Sequence, residues 1–381
     1  MFVAAAMEYI RHGSSCCVGV LYEIPQDCTK VASHFCQLTS GIHSMQPRVE
    51  KGIALSCTRS LLQLLRRFRA REATDARDKV YALLGLVSRQ PGSSSVEANC
   101  TLTTAEVFQQ TAMNIICETQ SLSVLEGDLG TKNRQDLPSW VPDWSTPLSN
   151  EDRLLCLGLY NASYGRPAKL SSKDWLIEAS SLNVPTPRVL AVGAIMLPVQ
   201  NPDTTVLQDW VSLTQRHNMG SVGTGLWRTL CADLTYKRAQ AGCVEASDTG
   251  DFNRLPEEKY AEVSVWFWHA LRGIVSKDDT EVAVRTATAK RRFFVATDGT
   301  TGLGPAKMRE GDEIHILQGG RTPFVLRPVA GRSVSSGRGD TGSPVHEMIG
   351  DCYADKLMDG DAVKHWTASD WETKPNKVYL V

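Results

Sequence analysis

The first third of the chain repeats apolar and polar residues with the period of amphipathic helices. Segments 53–68, 73–86 and 107–119 each place their apolar residues on one helical stripe. Thr103 and Glu106 have the spacing of a capping box directly before the third segment. The pattern therefore predicts a mainly helical beginning to the chain.

The period changes in the last third of the chain. Residues 291–329 contain short alternating β-type runs separated by Asp-Gly and Gly-Gly turns, a pattern typical of a meander or a small barrel. Between the two parts, residues 137–148 hold two tryptophans and three prolines, and proline prevents a regular helix or ladder there. We therefore expect an α+β fold, with a helical N-terminal half packed on a C-terminal antiparallel β module.

Three regions follow from these changes of pattern. Residues 1–136 are expected to form the mainly helical region, and residues 137–290 a Trp/Pro connector with a mixed α/β region. Residues 291–381 are expected to form the β-rich C-terminal module.

Composition limits the classes of protein that remain. The 381 residues are 42% hydrophobic and 22% charged, which is typical of a globular chain. The net charge of −1 gives no positive field to attract nucleic acid. No apolar run approaches the roughly 20 residues of a membrane span, and the opening MFVAAAM has no basic segment before it. We therefore expect a soluble, cytoplasmic protein.

Known cofactor and metal motifs are missing from the sequence. We find no P-loop, no dinucleotide-binding glycine fingerprint, no HExxH and no GxSxG. The eleven cysteines include no CxxC pair, and the eight histidines have no ligand spacing along the chain. His315, within EIHIL, is interpreted as a core or rim residue. The sequence therefore predicts no cofactor and no metal.

The best candidate for a site is the proline-fixed loop of residues 137–148. Two indoles beside a carboxylate can wall a pocket with one polar handle, and the helix predicted over residues 262–275 could supply the opposite wall. That helix is expected to bury Trp266, Phe267, Ala270 and Ile274 on one face. Packing of the loop tryptophans in the core explains them equally well. The predicted catalytic residues are Asp143 and His269, and the predicted substrate-binding residues are Trp140, Trp144, Trp266 and Trp268.

Several segments resemble those of a known family. They are ATDARDKVYALLGL, LPSWVPDWS, YNAS, LWRTLCADL, GLGP, GDEIHILQGGRTPFVLRPV and IGDCYADKLMDGDA, and together they span about residues 55–365. In this order they resemble the C-terminal region of the fungal heterokaryon incompatibility (HET) domain proteins. The tyrosine-valine-tryptophan-glycine and aspartate-alanine-isoleucine-cysteine-asparagine blocks of the N-terminal HET domain do not occur. The resemblance implies a filamentous fungus as the source.

Two functions from different classes fit this resemblance. In the first, a HET-like scaffold serves fungal secondary metabolism as a cofactor-independent enzyme that cyclises or rearranges a small apolar terpenoid or polyketide, for example by a [4+2] pericyclic closure. In the second, the chain is a truncated HET-family interaction or regulatory protein with a protein partner. A closed aromatic pocket of roughly 300–1,000 Å³ would favour the enzyme. A flat, exposed apolar patch would favour the partner surface.

Overall fold

The fold is described from a computed structural model. It covers residues 60–87, 96–127, 129, 132–147, 153, 156–173, 176–182, 187–196, 203–217, 224–238, 251–274, 278–334, 343–373 and 376–381. The predicted helix at 53–68 is therefore described only in its second half. Its first turns, like everything before residue 60, lie outside the described residues.

Three helices occupy the segments where the apolar spacing predicts them. They are α1 (Leu61–Arg67), α2 (Asp78–Leu84) and α3 (Thr104–Thr119). The predicted capping box of α3 is present, because the Thr103 hydroxyl accepts from the backbone N–H of Glu106 while the Glu106 carboxylate accepts from that of Thr103.

The start of α2 has no side-chain cap. Thr74 and Asp75 have side chains of the type that cap helices, but the N-cap residue is Arg77, which makes no side-chain cap. The Asp75 carboxylate instead accepts from the backbone and guanidinium of Arg77. Arg77 also donates to the carbonyls of Cys100 and Leu102, so the pair joins the helix start to the segment before α3.

The remaining helices and the strands follow in chain order. The helices are α4 (Thr204–His217), α5 (Thr224–Leu230), α6 (Tyr260–Leu271), α7 (Asp279–Thr288) and α8 (Ala368–Thr373). The strands are β1 (Leu170–Lys173), β2 (Leu176–Ser181), β3 (Val189–Ile195), β4 (Leu234–Lys237), β5 (Asp251–Arg254), β6 (Arg291–Ala296), β7 (Thr301–Pro305), β8 (Glu313–His315), β9 (Phe324–Val334), β10 (Ser343–Asp351), β11 (Tyr353–Ala354) and β12 (Asn376–Leu380).

The described strands form three sheets, and the α+β class is confirmed. The six-stranded sheet has the order β1-β2-β12-β10-β9-β8, the four-stranded sheet the order β11-β7-β6-β3, and β4 pairs with β5. All pairs are antiparallel except β10 with β12, which is parallel. Strands β1–β3 precede residue 291, so the C-terminal β module recruits strands from earlier in the chain.

The six-stranded sheet does not close into a continuous barrel among the described strands. Its outer strand β8 nevertheless approaches β2, because the backbone N–H of Leu182 donates to Ile316 (2.6 Å) and that of Gln318 donates to Ser180 (2.8 Å). Through these bonds, the residues that follow β8 run alongside the end of β2. The sheet therefore curls strongly, which brings side chains of distant strands together on one of its faces.

Helices α4–α7 cover the four-stranded sheet and share its largest core cluster. Trp210 of α4 stacks on Phe293 of β6 with ring centroids 5.6 Å apart. Strands β7 and β11 come so close that a Cβ on Gly302 would lie 2.2 Å from the carbonyl oxygen of Tyr353. Within the part of the chain described above, no helix has both the length and the apolar character needed to cross a membrane.

Candidate functional site

The tryptophans of the predicted loop site are buried. Trp140 is 0% and Trp144 2% exposed. The Trp144 ring meets Phe108 of α3 edge to face, with centroids 5.0 Å apart. Trp144 thus packs the loop against α3, and both indoles are buried, which is the core arrangement that the sequence left open.

Asp143 lies between these tryptophans and is fully buried. One carboxylate oxygen accepts from the backbone N–H groups of Asn133 (3.0 Å) and Arg134 (3.1 Å). The other accepts from the backbone N–H (3.0 Å) and the hydroxyl of Ser145. Two donors from the loop and two from the segment just before it surround the carboxylate, so the geometry is that of a group that fixes the loop.

The helix predicted as the opposite wall, α6, has two different faces. Trp266, Phe267 and Ala270 are buried as predicted, and Trp266 belongs to the core cluster that contains Trp210. Ile274 is 52% exposed, contrary to the prediction. Gly273 adopts φ +73° directly after the helix, so the chain leaves the helical stripe before Ile274.

The structure therefore distributes the predicted site residues over different surroundings. Trp140, Asp143 and Trp144 lie in the loop packed on α3, and Trp266 lies under α6 in the core. Trp268 and His269 are exposed on the outer face of α6. A role for these residues in substrate binding or catalysis stays a prediction.

A small buried cavity lies elsewhere in the molecule. Its volume is about 20 Å³, and it is lined by Tyr160, Cys352 and Tyr353, among others, but by none of the predicted site residues. Such a space holds about one water molecule and falls far short of the roughly 300 Å³ that a drug-sized ligand needs. Burial raises the pKa of Cys352 to about 12, so its thiol is not a ready nucleophile.

The outer face of α6 exposes several large apolar side chains. Val265 is 55% and Trp268 45% exposed, and with Ile274 they form what we call the α6 surface. The Trp268 ring packs against two other aromatic rings, because it lies edge-on to Phe267 (centroids 5.5 Å apart) and to Trp227 (6.5 Å). The indole is thus both exposed and fixed in position, as in the aromatic anchors of protein interfaces.

A network of charges supports one end of this surface. Asp233 is buried and pairs with Arg228 (3.3 Å) and Arg254 (2.5 Å). Arg228 also lies over the ring of Tyr260, the first residue of α6, at 5.9 Å. Ala232 and Asp233 both adopt left-handed backbone conformations, with φ of 50° and 57°. The turn after α5 is therefore held in a strained form that aims Asp233 at the two arginines.

Glu313, His315 and His346 form the one group among the described residues that could hold a metal ion. The Nε2 atoms of His315 and His346 lie 3.2 and 3.3 Å from the same Glu313 oxygen. The sequence analysis missed this group. The i, i+2 spacing of Glu313 and His315 on a strand was a usable signal, but the approach of His346 depends on the order of strands in the sheet.

Comparisons with known proteins show what this chain is similar to. Residues 238–371 match the family model of the Het-6 beta-barrel domain. The chain is also similar to "Heterokaryon incompatibility protein 6, OR allele" of Neurospora crassa, with 23% identity over 356 residues, covering 76% of this chain and 49% of the relative. The predicted resemblance to HET proteins is thereby confirmed.

Two further results limit what can be concluded from these comparisons. The chain spans about half the length of the curated relative that it matches. No solved structure gives a significant match to the chain.

Proposed function

We propose that this chain is an interaction or regulatory protein of fungal heterokaryon incompatibility, and that it contacts its partner through the α6 surface. The observation that carries the proposal is the similarity to the Neurospora crassa incompatibility protein, together with the Het-6 barrel match over the segment that contains α6. This function was the alternative in the sequence analysis. The cyclising enzyme finds no support in either comparison.

The α6 surface suits a partner protein better than a small apolar substrate. Val265 and Trp268 are three residues apart on one helix, the spacing with which a helix fits into an apolar groove. Both side chains point outward, so they form a convex ridge and do not enclose a ligand. A convex ridge with a fixed indole fits a complementary groove on another protein.

The charges around the ridge indicate what kind of groove it fits. Arg272 is exposed one turn beyond Trp268, at the C-terminal end of the helix. Glu262 is exposed near the N-terminal end. The occupant that we infer is a partner protein with an apolar groove whose rim is acidic where it meets Arg272.

Forced heterokaryons of Neurospora crassa test this function. The chain is expressed in one of two otherwise compatible auxotrophic strains, and growth of the heterokaryon is measured against an empty vector. We expect expression to suppress heterokaryon growth. Unchanged growth with folded protein present would overturn the proposed function.

A matched pair of variants tests the surface in the same assay. Trp268→Ala removes the indole, whereas Leu190→Ala removes a side chain of equal exposure, 44%, on strand β3. We expect growth to recover with Trp268→Ala and to stay suppressed with Leu190→Ala. Equal suppression by both variants would exclude the α6 surface as the contact.

A further inference from the structure

Three potential metal ligands converge on one face of the six-stranded sheet. Glu313 and His315 lie on β8, and His346 lies on β10, with β9 between these two strands. Both histidines are almost completely buried, with 6% and 2% exposure. One ligating atom from each of the three side chains lies within 4.8 Å of the other two. The curled sheet therefore builds a compact nitrogen, nitrogen and oxygen donor set.

The distances within this set match the coordination geometry of zinc. Zinc binds histidine nitrogen and carboxylate oxygen at about 2.0–2.1 Å, so two ligands of a tetrahedral site lie roughly 3.3 Å apart. The Glu313 Oε2 atom lies 3.2 Å from His315 Nε2 and 3.3 Å from His346 Nε2. Two edges of the tetrahedron are thus already present. The two imidazole rings lie at 68° to each other with centroids 5.5 Å apart, and their ligating atoms lie within 4.8 Å of each other.

Neighbouring residues hold two of the ligands in place. The Ser181 hydroxyl lies 2.9 Å from His315 Nδ1, the nitrogen that faces away from Glu313. A hydroxyl can donate or accept, so its oxygen can accept a hydrogen bond from Nδ1–H while the Nε2 lone pair binds a metal. The Arg188 guanidinium pairs with the other Glu313 oxygen, Oε1, at 3.1 Å. Glu313 can therefore bind through Oε2 alone.

Carboxylate oxygen and imidazole nitrogen are both donors that suit Zn²⁺.

We propose that Glu313, His315 and His346 bind one divalent cation of the zinc class, which links β8 to β10. The Glu313 side chain is 13% exposed, so solvent supplies the fourth ligand from that side. The bound cation ties together two strands that are not neighbours in the sheet. By joining them, it stabilises the curl that brings β8 near β2.

Metal binding to the purified full chain tests the proposal. The protein is dialysed against a chelator and then titrated with Zn²⁺ and Co²⁺, while visible absorption of Co²⁺, calorimetry and the melting temperature are recorded. We expect one equivalent to bind, with the visible absorption of tetrahedral Co²⁺ and a rise in melting temperature that depends on Zn²⁺ concentration. The absence of a stoichiometric binding event would overturn the site and would show a hydrogen-bonded His-Glu-His group.

Two pairs of variants assign the binding to these residues. Glu313→Gln keeps the shape of the side chain but loses the anionic donor, and its control is Glu347→Gln, an exposed glutamate on β10. His346→Asn is paired with His365→Asn, an exposed histidine. Loss of an outer partner alone weakens metal sites 10–100-fold, so we expect loss of a ligand to weaken binding at least about 100-fold.

The controls are expected to bind the metal like the unmodified chain. Near-ultraviolet circular dichroism shows which variants fold. If His346→Asn fails to fold, Glu313→Gln decides, since it retains the carbonyl acceptor and the volume of the original side chain. Equal weakening by Glu313→Gln and Glu347→Gln would assign the binding to the general surface and would overturn the proposal.

Discussion

Replacing Asp143 by asparagine separates a structural carboxylate from a catalytic one. The substitution keeps the size of the side chain but turns one acceptor oxygen into an NH₂ donor. If the remaining oxygen stays with Ser145, the new NH₂ faces the backbone N–H groups of Asn133 and Arg134. These two backbone donors then lose their acceptor.

The structure sets the size of this effect. A donor left without a partner away from water costs about 1–3 kcal/mol. Asn133 is exposed and Arg134 is half-buried, so water reaches part of this site and the lower end of that range applies to each donor. We therefore expect Asp143→Asn to lower the free energy of unfolding by about 2 kcal/mol.

Urea unfolding followed by tryptophan fluorescence measures this loss. The matched control is Asp136→Asn in the same segment, where the carboxylate is 49% exposed and pairs with Arg134 at 2.6 Å. An exposed pair of this kind contributes about 0–1 kcal/mol. If Asp143→Asn lowers the free energy of unfolding no more than Asp136→Asn does, the four hydrogen bonds do not stabilise the loop. Asp143 would then again be a candidate for a catalytic role.

Three further predictions concern packing, thiol reactivity and pH. Gly302→Ala should lower the melting temperature severely, since the new Cβ would lie 2.2 Å from a carbonyl oxygen. In the control Gly85→Ala, the new Cβ has no atom within 4 Å and the backbone φ is −71°. That variant should leave the melting temperature unchanged or slightly raised. Iodoacetamide at pH 8 followed by peptide mapping should label exposed Cys100 long before Cys352, whose buried thiol has a pKa of about 12; equal labelling would refute that burial. Burial raises the pKa of Glu126 above its ordinary 4.5, so the unmodified chain loses stability as pH rises from 4.5 through the higher pKa of the folded state. Glu126→Gln should therefore gain stability relative to the unmodified chain between pH 4.5 and about pH 8. A stability difference that does not depend on pH would contradict this.

Local signals in the sequence predict the helices well. The capping box of Thr103 and Glu106 sets the start of α3 in both the sequence and the structure, because it depends on residues three apart. The buried face of α6 also follows from its period. Ile274 was wrongly placed on that face, because a left-handed Gly273 ends the stripe and periodicity alone does not show where a helix stops.

Features that depend on distant strands could not be read from the sequence. The loop sequence shows two tryptophans and an aspartate, but whether they wall a pocket or fill the core depends on the contact with Phe108. Glu313 and His346 are 33 residues apart and meet across an intervening strand. Strand β12 likewise pairs with β2 and β10, and no local pattern in the sequence predicts which strands lie side by side.

We propose that the α6 surface contacts a partner protein during incompatibility. A photoreactive amino acid in place of Trp268, with Leu190 as the control position, tests this contact directly in forced heterokaryons of Neurospora crassa. We predict a crosslinked protein adduct from position 268 that forms in heterokaryons whose growth is suppressed and not in normally growing ones, and none from position 190 in either. Equal adducts from both positions, or no adduct from position 268 while growth is suppressed, would contradict the claim.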